Sequence, residues 1–366
     1  MNFILTTCGL SIFTNYLKNY GIFPQKVYNY SNLQESEIND EEFLNNFSKA
    51  IEDLEEEILS YDNKKLKKLS AELNALVTFY NGTFDKKDFH LLLYTDTFLG
   101  EKVAQVLKYF LENKGLIVNT YKAKDLNTSN LNEFHIALSD VAKEISKILI
   151  DYKENNYEII FNLTGGFKGV NSFLQTMASL YADKSIYIFE TSDELLEIPR
   201  LPIKLDEKFF SNNIQIFRKF EISYKINKEE IKYFPKSIVF EIYDEVALSP
   251  WGEIVWQKFK YDFYKRELVE PISDKLKYSK EFKKDFAQLN SRQKLELNKS
   301  IDDLEKYILS NKKFNPLSLR YHSLSGQVSQ KYSHEFYPFD GDASRRAYCN
   351  EKDGIIVIEN IGEHLK

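Results

Sequence analysis

The stretch Asn162-Leu163-Thr164-Gly165-Gly166-Phe167-Lys168-Gly169 follows a short apolar run, 157–161, and precedes a segment with apolar residues at helical spacing, 170–181. This order predicts a buried strand, a glycine turn and the start of a helix. Glycines let the backbone approach a ligand closely, and a helix N-terminus presents free N–H groups to an anion. With the hydroxyl of Thr164 and the positive charge of Lys168, the loop suits a phosphate or a ribose.

The glycine spacing of this loop differs from that of the dinucleotide-binding fingerprint. It also differs from a Walker loop, because no Lys-Ser or Lys-Thr pair follows the last glycine. The loop therefore argues against an ATPase. A tight turn between strand and helix with an exposed lysine remains the simpler alternative.

Composition predicts a folded protein of two or three domains, since the chain has 366 residues, of which 43% are hydrophobic. No apolar run is long enough for a membrane span, and no signal peptide is recognisable. The two cysteines, Cys8 and Cys349, cannot form a disulfide framework or a cysteine-based zinc site. We therefore expect a cytoplasmic protein without a membrane partner.

The charge is unevenly distributed along the chain. The net charge is −6, but from Ile272 onward 17 Lys and Arg residues stand against 14 Asp and Glu residues, a net of +3. A net negative charge argues against indiscriminate coating of nucleic acid. Any nucleic-acid binding is therefore expected in the C-terminal third.

Short apolar runs alternate with helical patterns over the first 200 residues. The predicted strands cover residues 2–6, 89–94, 116–121, 157–161 and 185–190. Such alternation predicts an α/β domain with a doubly wound parallel sheet, in which ligands bind beyond the carboxyl ends of the strands. The loops 6–11, 95–97 and 162–169 all follow strands, so we expect them at that edge.

Three motifs in this region resemble the CRISPR-associated Rossmann-fold (CARF) sensor domains. They are Thr-Thr-Cys-Gly-Leu-Ser at 6–11, Ser-Ala-Glu-Leu-Asn at 70–74, and Asn-Leu-Thr-Gly-Gly-Phe-Lys at 162–168. The resemblance implies a homodimer that binds a cyclic oligoadenylate, with the tetra-adenylate ring as the expected form. A ligand with two-fold symmetry needs a two-fold site, which an isologous dimer supplies.

The resemblance and the position of the loops together give the candidate ligand-binding residues. They are Thr7, Gly9, Ser11, Thr95, Asp96, Asn162, Thr164, Gly165, Gly166 and Lys168. Lys168, Thr164 and the loop amides are expected to face phosphates, and Ser11 and Gly9 to face ribose or phosphate.

From Leu205 the alternation stops, and residues 205–271 are predicted to form a small winged-helix-like connector. Phe209 to Phe220 predict one helix and residues 237–243 a strand. Ser249 and Pro250 form a good N-cap and N1 pair for a further helix. The predicted domains are therefore a sensor at 1–204, the connector at 205–271 and a C-terminal domain at 272–366.

The C-terminal domain is predicted to be α+β. Helical spacing covers residues 275–286 and 288–310, and strand-like runs follow at 332–338, 344–349 and 355–360. Two helices followed by consecutive strands joined by short turns indicate an antiparallel sheet.

This domain resembles the RelE/ParE toxin superfamily. The matching features are the helical hairpin, the turn Leu-Arg-Tyr-His-Ser-Leu-Ser-Gly at 319–326, an Arg-x-x-Tyr strand at 345–348, and a last strand that leads into His364. The enzymes of that superfamily are metal-independent endoribonucleases that act on mRNA in the ribosome. The resemblance therefore implies an effector with no cofactor and no metal, whose partners are the ribosome and mRNA.

Cleaving RNA through its own 2′-hydroxyl requires charge stabilisation and proton transfer, which arginine and histidine provide. The resemblance gives Arg345 and His364 as candidate catalytic residues, with His334 or Lys331 in place of lysines that some relatives carry. It places Arg345 on the RNA-facing side of its strand and Arg346 on the outside. The candidate RNA-binding residues are Lys312, Lys313, Arg320 and Arg346.

The leading hypothesis is thus a ribonuclease of a type III CRISPR system that cyclic oligoadenylate activates. The first alternative is a ligand-responsive transcription regulator with an inert RelE/ParE-like domain. The second is a ring nuclease that destroys its own activator.

Overall fold

A computed structural model describes residues 1–126, 131–189, 194–242, 245–326 and 328–364. The chain forms two compact units. The first comprises Met1–Lys204 and Ser249–Ile254, and the second comprises Leu205–Leu248 and Val255–Lys366. Within the described residues, no helix combines the length and the apolar character needed to span a membrane.

The first unit is built on a six-stranded sheet. Its strands are β1 (Asn2–Thr7), β2 (Phe89–Thr95), β3 (Ile117–Ala123), β4 (Glu158–Asn162), β5 (Lys184–Ile188) and β6 (Leu195–Pro199). The order is β3-β2-β1-β4-β5-β6, in which β6 alone runs antiparallel to its neighbour. Strands β1 and β4 are adjacent, with Ile4 opposite Ile160. The order therefore reverses between these two strands, which is where open α/β sheets bind ligands.

Helices surround this sheet. They are α1 (Ser11–Tyr16), α2 (Pro24–Asn29), α3 (Glu41–Ile58), α4 (Asn63–Leu69), α5 (Ala71–Phe79), α6 (Phe98–Asn113), α7 (Leu131–Glu154) and α8 (Lys168–Tyr181). Alternate strand residues such as Ile4 and Ile160 lie in one apolar core with helices α1 to α6. Phe3 points to the opposite face, where its ring lies 4.4 Å from that of Tyr152 on α7. Both faces are thus covered, which is why the strands are apolar throughout rather than alternating.

The second unit begins with a helical part and a small hairpin. They consist of α9 (Glu207–Asn212), α10 (Ile214–Glu221), β7 (Val239–Ile242), β8 (Glu245–Leu248) and the part of α11 (Pro250–Tyr264) from Val255 onward. Aromatic side chains make most of the core of this part. The ring of Phe217 stacks at 5.1 Å on Trp256, which is fully buried.

A five-stranded sheet follows in the second unit. Its elements are β9 (Leu276–Tyr278), α12 (Lys280–Gln288), α13 (Ser291–Leu309), β10 (His322–Ser323), β11 (His334–Phe336), β12 (Arg345–Lys352) and β13 (Ile355–Glu363). The order is β10-β11-β12-β13-β9, antiparallel except for the pair β13 and β9. Phe336 and Ala347, which are cross-strand partners, point into a core shared with Phe282 and Leu297.

A buried ion pair joins α10 to α13 within the second unit. Arg218 is fully buried, and its Nε donates to Asp302 at 2.8 Å. The hydroxyl of Tyr264 donates to the other oxygen of the same carboxylate, and the guanidinium also donates to the carbonyl of Glu270. The carboxylate of Asp302, on a different helix, therefore supplies the counter-charge that makes the burial of Arg218 possible.

Several boundaries differ from the sequence predictions for physical reasons. The helix predicted at 275–286 begins instead as strand β9, because Leu276 pairs with Ile356 of the last strand. The predicted strand 332–338 shortens to β11, and the helix expected from Phe209 to Phe220 divides at Asn213. Strand β6 and the two-residue β10 were not predicted. Residues 190 and 243, the last residues of two predicted strands, lie outside the described residues.

A mixed α/β fold with a parallel sheet is confirmed. The assignment of the first unit to a Rossmann-like sensor and of residues 272–366 to a RelE-like domain stays a prediction, as does the division into three domains.

Replacing Arg218 with methionine should destabilise the second unit by about 3–5 kcal/mol, the usual loss when one partner of a buried ion pair is removed. The carboxylate of Asp302 would keep its hydrogen bond from Tyr264 but lose its counter-charge. Urea-induced unfolding of the full chain measures this change.

The matched control is Lys283→Ala, which removes an exposed ion pair with Glu270 in the same unit. We expect a change below about 1 kcal/mol for this variant. Equal losses in the two variants would contradict the role assigned to the buried pair.

Candidate functional sites

Two strand-to-helix loops of the first unit meet at the buried carboxylate of Glu72, near the start of α5. Its Oε1 accepts the backbone N–H of Gly9 at 2.6 Å. Its Oε2 accepts the hydroxyls of Ser70 at 2.6 Å and Ser11 at 3.0 Å. Glu72 therefore fixes the loop after β1 against the N-terminus of α5.

Glycines allow the loop after β4 to approach the same point. A Cβ on Gly165 would lie 1.8 Å from Oε1 of Glu72, and one on Gly9 would lie 2.3 Å from the backbone nitrogen of Gly166. Gly166 also has a φ of +93°, which side-chain-bearing residues rarely adopt. The contact between the loops thus requires glycine at these positions.

Hydrogen bonds then hold the β4 loop in place. The carbonyl of Gly165 accepts the hydroxyl of Thr7 at 2.7 Å and the side-chain amide of Asn171 at 2.7 Å. Asn162 is fully buried, and its amide donates to the carbonyl of Glu72 at 3.3 Å. The loop is therefore held from three different elements and is preorganised.

Burial raises the pKa of Glu72 above its ordinary value, and the hydrogen bonds from Ser70, Gly9 and Ser11 only partly oppose this shift. Glu72 is not among the candidate site residues predicted from the sequence. The signal was present, since Glu72 lies within the Ser-Ala-Glu motif at 70–72. Glu72 is the one charged residue of helix α5, and this feature would have identified it.

Helix α8 presents its N-terminus next to the β4 loop. Its N-cap residue, Phe167, provides no side-chain cap, and the first turn has no acidic residue. Lys168, the first residue of α8, is exposed, and the hydroxyl of Thr164 is buried without a hydrogen-bond partner among the residues described. Free backbone N–H groups and an ammonium group form an arrangement that can bind an anion. The hydroxyl of Thr164 is closed to solvent, so its ligand-binding role stays a prediction.

Thr95 and Asp96 are not brought into the cluster around Glu72. The hydroxyl of Thr95 is buried against that of Thr97 at 3.1 Å. Asp96 accepts the backbone N–H of Asp125 and forms an ion pair with Lys122 at 3.5 Å. These contacts give both side chains local structural roles, and their ligand-binding role stays a prediction.

A second cluster lies on the β10–β13 sheet of the second unit, around Glu335. This side chain is 3% exposed. Its Oε1 lies 3.4 Å from Nε2 of His322 and 3.9 Å from Nε2 of His364, and it accepts Nε of Arg346 at 3.1 Å. Its Oε2 has no hydrogen-bond partner among the described side chains and backbone groups.

Strand register explains why these residues meet. His322 pairs directly with Glu335, and Glu335 pairs with Tyr348, so all three point to one face of the sheet. Arg346 lies two residues before Tyr348 and shares that face. The backbone N–H of His364 donates to the carbonyl of Ser344 at 2.7 Å, which holds the histidine beside the strand.

The expectation that Arg346 lies on the outside is wrong, because its side chain is 5% exposed. Besides Glu335, its guanidinium donates to Tyr337 and to the carbonyls of Ala343 and Arg345. Arg346 therefore has little capacity left to contact RNA directly. Arg345 and Tyr348 are three residues apart on β12, so their side chains point to opposite faces of the sheet.

The guanidinium of Arg345 lies on the opposite face, 5.9 Å from the ring centre of Phe339. Its Nε is buried and lacks a hydrogen-bond partner among the residues that the structure describes. A catalytic role for Arg345 stays a prediction.

His334 belongs to a different group of side chains. Its ring stacks on that of Tyr321 at 5.0 Å, and its Nε2 lies 3.5 Å from Glu351. Burial holds the pKa of His334 below its ordinary value, although the charge of Glu351 opposes this. Glu351 also forms an ion pair with Lys312 at 2.6 Å, so the charge of that lysine already has a partner within the protein.

The remaining candidates lie at the surface. Lys331 is exposed, with its ammonium group 4.9 Å from the ring centre of Tyr332, and Lys313 is exposed as well. Arg320 is exposed and donates to the hydroxyl of Tyr337 at 3.1 Å, which brings it close to Arg346.

The sequence analysis did not select His322 and Glu335. Both lie in segments named there, the turn 319–326 and the strand-like run 332–338. Their meeting depends on the pairing of β10 with β11, and β10 is too short to predict. Among the described residues, no group of three or more His, Cys, Asp or Glu side chains is arranged to hold a metal ion.

One comparison with known proteins bears on the first unit. Residues 67–201 match the model of a family described as CRISPR-associated protein (Cas_APE2256). The matched segment includes Glu72 and the whole β4 loop, 162–169. It ends before the second unit. This match supports a CRISPR-associated protein.

Replacing Gly165 with alanine should destabilise the first unit by about 1–3 kcal/mol, because the added methyl group has no space beside Oε1 of Glu72. The buried carboxylate or the loop would have to move. Urea-induced unfolding of the full chain is the measurement.

Gly169→Ala provides the control in the same loop region. A Cβ there would meet only the ring of Phe134, at an ordinary 3.7 Å. We expect unchanged or slightly higher stability, since alanine favours a helix over glycine. If both variants unfolded at the same urea concentration as the native chain, the close packing of the loop on Glu72 would be contradicted.

Proposed function

We propose that this CRISPR-associated chain is an effector that binds a cyclic oligoadenylate through its first unit and cleaves RNA with its second unit. The observation that carries the proposal is the cluster on the second sheet, where two histidines lie within 4 Å of the same buried carboxylate oxygen. Two imidazoles beside one carboxylate supply the two groups that the proton transfers of RNA cleavage require.

The first unit supports the binding of a phosphate-rich ligand. Backbone amides at the N-terminus of α8, the hydroxyl of Thr164 and the ammonium group of Lys168 all lie at the carboxyl edge of the parallel sheet. The anionic phosphates of a cyclic oligoadenylate would contact these groups, and Gly9 and Ser11 would hold the neighbouring loop in position. The ligand has two-fold symmetry, so we propose that two copies of the chain bind it as a homodimer.

In the second unit, His322 and His364 are proposed to act as the proton-transfer pair. His364 would take the proton of the 2′-hydroxyl, and His322, whose Nδ1 lies 2.7 Å from the carbonyl oxygen of Arg320, would give a proton to the departing 5′-oxygen. Both histidines are nearly half exposed, at 43% and 46%, so RNA can reach them. Both protons are transferred by protein side chains, so the proposed reaction requires no metal ion.

Glu335 and Arg346 are proposed to position the histidines rather than to contact the substrate. The carboxylate of Glu335 is buried and can orient both imidazoles through their Nε2 atoms. Arg346 supplies the counter-charge that keeps this carboxylate buried. Arg320, exposed beside Tyr337, is the proposed contact for the RNA phosphate.

The resemblance of residues 272–366 to the RelE/ParE superfamily supports ribosome-bound mRNA as the substrate. The basic balance of this segment agrees with an RNA partner. We therefore propose that cleavage occurs on mRNA in the ribosome.

Lys168→Ala should weaken the binding of cyclic tetra-adenylate by about 1.5–3 kcal/mol for each phosphate contact that is lost. Isothermal titration calorimetry on the full chain measures the change, with cyclic hexa-adenylate titrated in parallel to compare ring sizes. Lys108→Ala on α6 removes an exposed lysine away from the β4 loop and should leave the affinity unchanged. Unchanged affinity in Lys168→Ala would refute the assignment of this loop.

His322→Ala and His364→Ala should each lower the rate of RNA cleavage by on the order of 10²-fold or more, the usual contribution of a positioned acid or base. The measurement is single-turnover cutting of ribosome-bound mRNA at saturating cyclic oligoadenylate.

Two further variants separate the possible assignments. Lys352→Ala, at the exposed end of β12, controls for effects of substitution in the sheet. His334→Ala tests the alternative histidine, which contacts Glu351 instead of Glu335. Loss of cleavage in His334→Ala with full activity in His322→Ala would overturn the proposed pair.

A further inference from the structure

A cleft of about 540 Å³ lies in the first unit between the end of α1 and the helices α3 and α4. Its volume falls within the range of small-molecule sites. Three tyrosines, two lysines and one glutamate line much of it, namely Tyr16, Tyr20, Tyr61, Lys65, Lys68 and Glu57. Neither the loops at Glu72 nor the sheet at Glu335 contributes to this lining.

One wall of the cleft is positively charged. Lys65 and Lys68 lie three residues apart on α4 and both line the cleft. Among the described residues, neither lysine forms an ion pair with a carboxylate. Helix α4 has seven residues, of which four are lysines, and none is acidic. A bound anion with more than one charge would relieve the repulsion between these neighbouring ammonium groups.

The ammonium group of Lys65 is held in place by an aromatic ring. Its Nζ lies 3.4 Å from the ring centre of Tyr61, a cation–π contact. This contact lowers the freedom of a long side chain before any ligand binds, so less entropy is lost on binding.

The lining also carries tyrosine hydroxyls and the carboxylate of Glu57. Tyr61 donates to Glu57 at 2.5 Å, and Tyr20 donates to Asp53 at 2.5 Å. These tyrosine protons partly satisfy the two carboxylates, which accordingly form no ion pair with the lysines of the cleft. Burial and the hydrogen bond to Glu57 raise the pKa of Tyr61 above its ordinary value.

Two asparagines add uncharged polar groups at the rim. The amide of Asn15 donates to the carbonyls of Lys68 and Leu69, which fixes this side chain and leaves its oxygen as an acceptor. Asn19 is exposed and also lines the cleft. Side-chain amides and a carboxylate are suitable partners for the hydroxyl groups of a sugar.

We propose that this cleft binds a sugar phosphate, such as a nucleoside monophosphate, with its phosphate on Lys65 and Lys68. The sugar hydroxyls then face Glu57 and the asparagines. The anionic end of such a ligand matches the two lysines, and its hydroxyl-rich end matches the side-chain amides and the carboxylate of the lining.

The site is separate from the loop cluster at Glu72. Helix α1 begins at Ser11, which donates to Glu72, and ends at Tyr16, which lines the cleft. Six helical residues span about 9 Å, so the two sites lie at opposite ends of this helix. The proposal therefore does not depend on the loop binding a cyclic oligoadenylate.

Calorimetric titration of the full chain with adenosine 5′-monophosphate, ribose 5-phosphate, adenosine and inorganic phosphate tests the proposal. We expect the two sugar phosphates to bind, and adenosine and inorganic phosphate to bind at least about tenfold more weakly. The double variant Lys65→Ala/Lys68→Ala should weaken the binding of both sugar phosphates by about tenfold or more.

Two controls make the result specific to the cleft. Lys64→Ala removes an exposed lysine of the same helix that does not line the cleft, and it should leave binding unchanged. If Lys168→Ala removed the binding instead, the sugar phosphate would occupy the β4 loop rather than the cleft, and the proposal would be overturned. Equal binding of adenosine and its monophosphate, unchanged binding in the double variant, or an equal loss in Lys64→Ala would each overturn the proposal.

Discussion

The architecture of the first unit depends on one buried carboxylate. Glu72 accepts hydrogen bonds from the loop after β1 and from the start of α5, and the loop after β4 packs directly against it. Its donors are hydroxyls and backbone N–H groups, and among the described residues no lysine, arginine or histidine forms an ion pair with this carboxylate. A carboxylate in this position is costly to bury, and it is compatible with the fold only while all its donors stay in place. The loops at the sheet edge are therefore rigid before any ligand arrives.

The second unit uses buried carboxylates in a different way. Glu335 and Asp302 each pair with a buried arginine, Arg346 and Arg218 respectively. An arginine offers up to five donors in a fixed plane, so it can satisfy a carboxylate and nearby carbonyls together. Glu335 keeps one oxygen without a partner among the described residues and lies beside two exposed histidines. Glu335 therefore differs from Asp302, both of whose carboxylate oxygens accept hydrogen bonds.

Much of the fold of the first unit could be predicted, because buried parallel strands appear as continuous apolar runs between helical patterns. All five predicted strands are present there with small shifts at their ends. The second unit was harder to predict. Leu276 lies in a three-residue strand that is specified by pairing with a distant partner, and His322 lies in a strand of two residues. For the sites, the sequence located the glycine loop, since its spacing is local. It missed Glu72 and Glu335 because their importance arises from burial and from contacts across the sheet.

The ion pair of Arg218 with Asp302 also bears on how such a chain can be assembled from parts. Arg218 and Tyr264 precede residue 272, whereas Asp302 follows it, and Tyr264 and Val269 belong to the same core as the last strands. A boundary chosen by composition at residue 272 therefore cuts through one hydrophobic core. The C-terminal sheet alone is therefore not a complete folding unit that could be transferred to another protein. A segment transferred with this sheet intact has to begin near Leu205, so that it includes helices α9, α10 and α11.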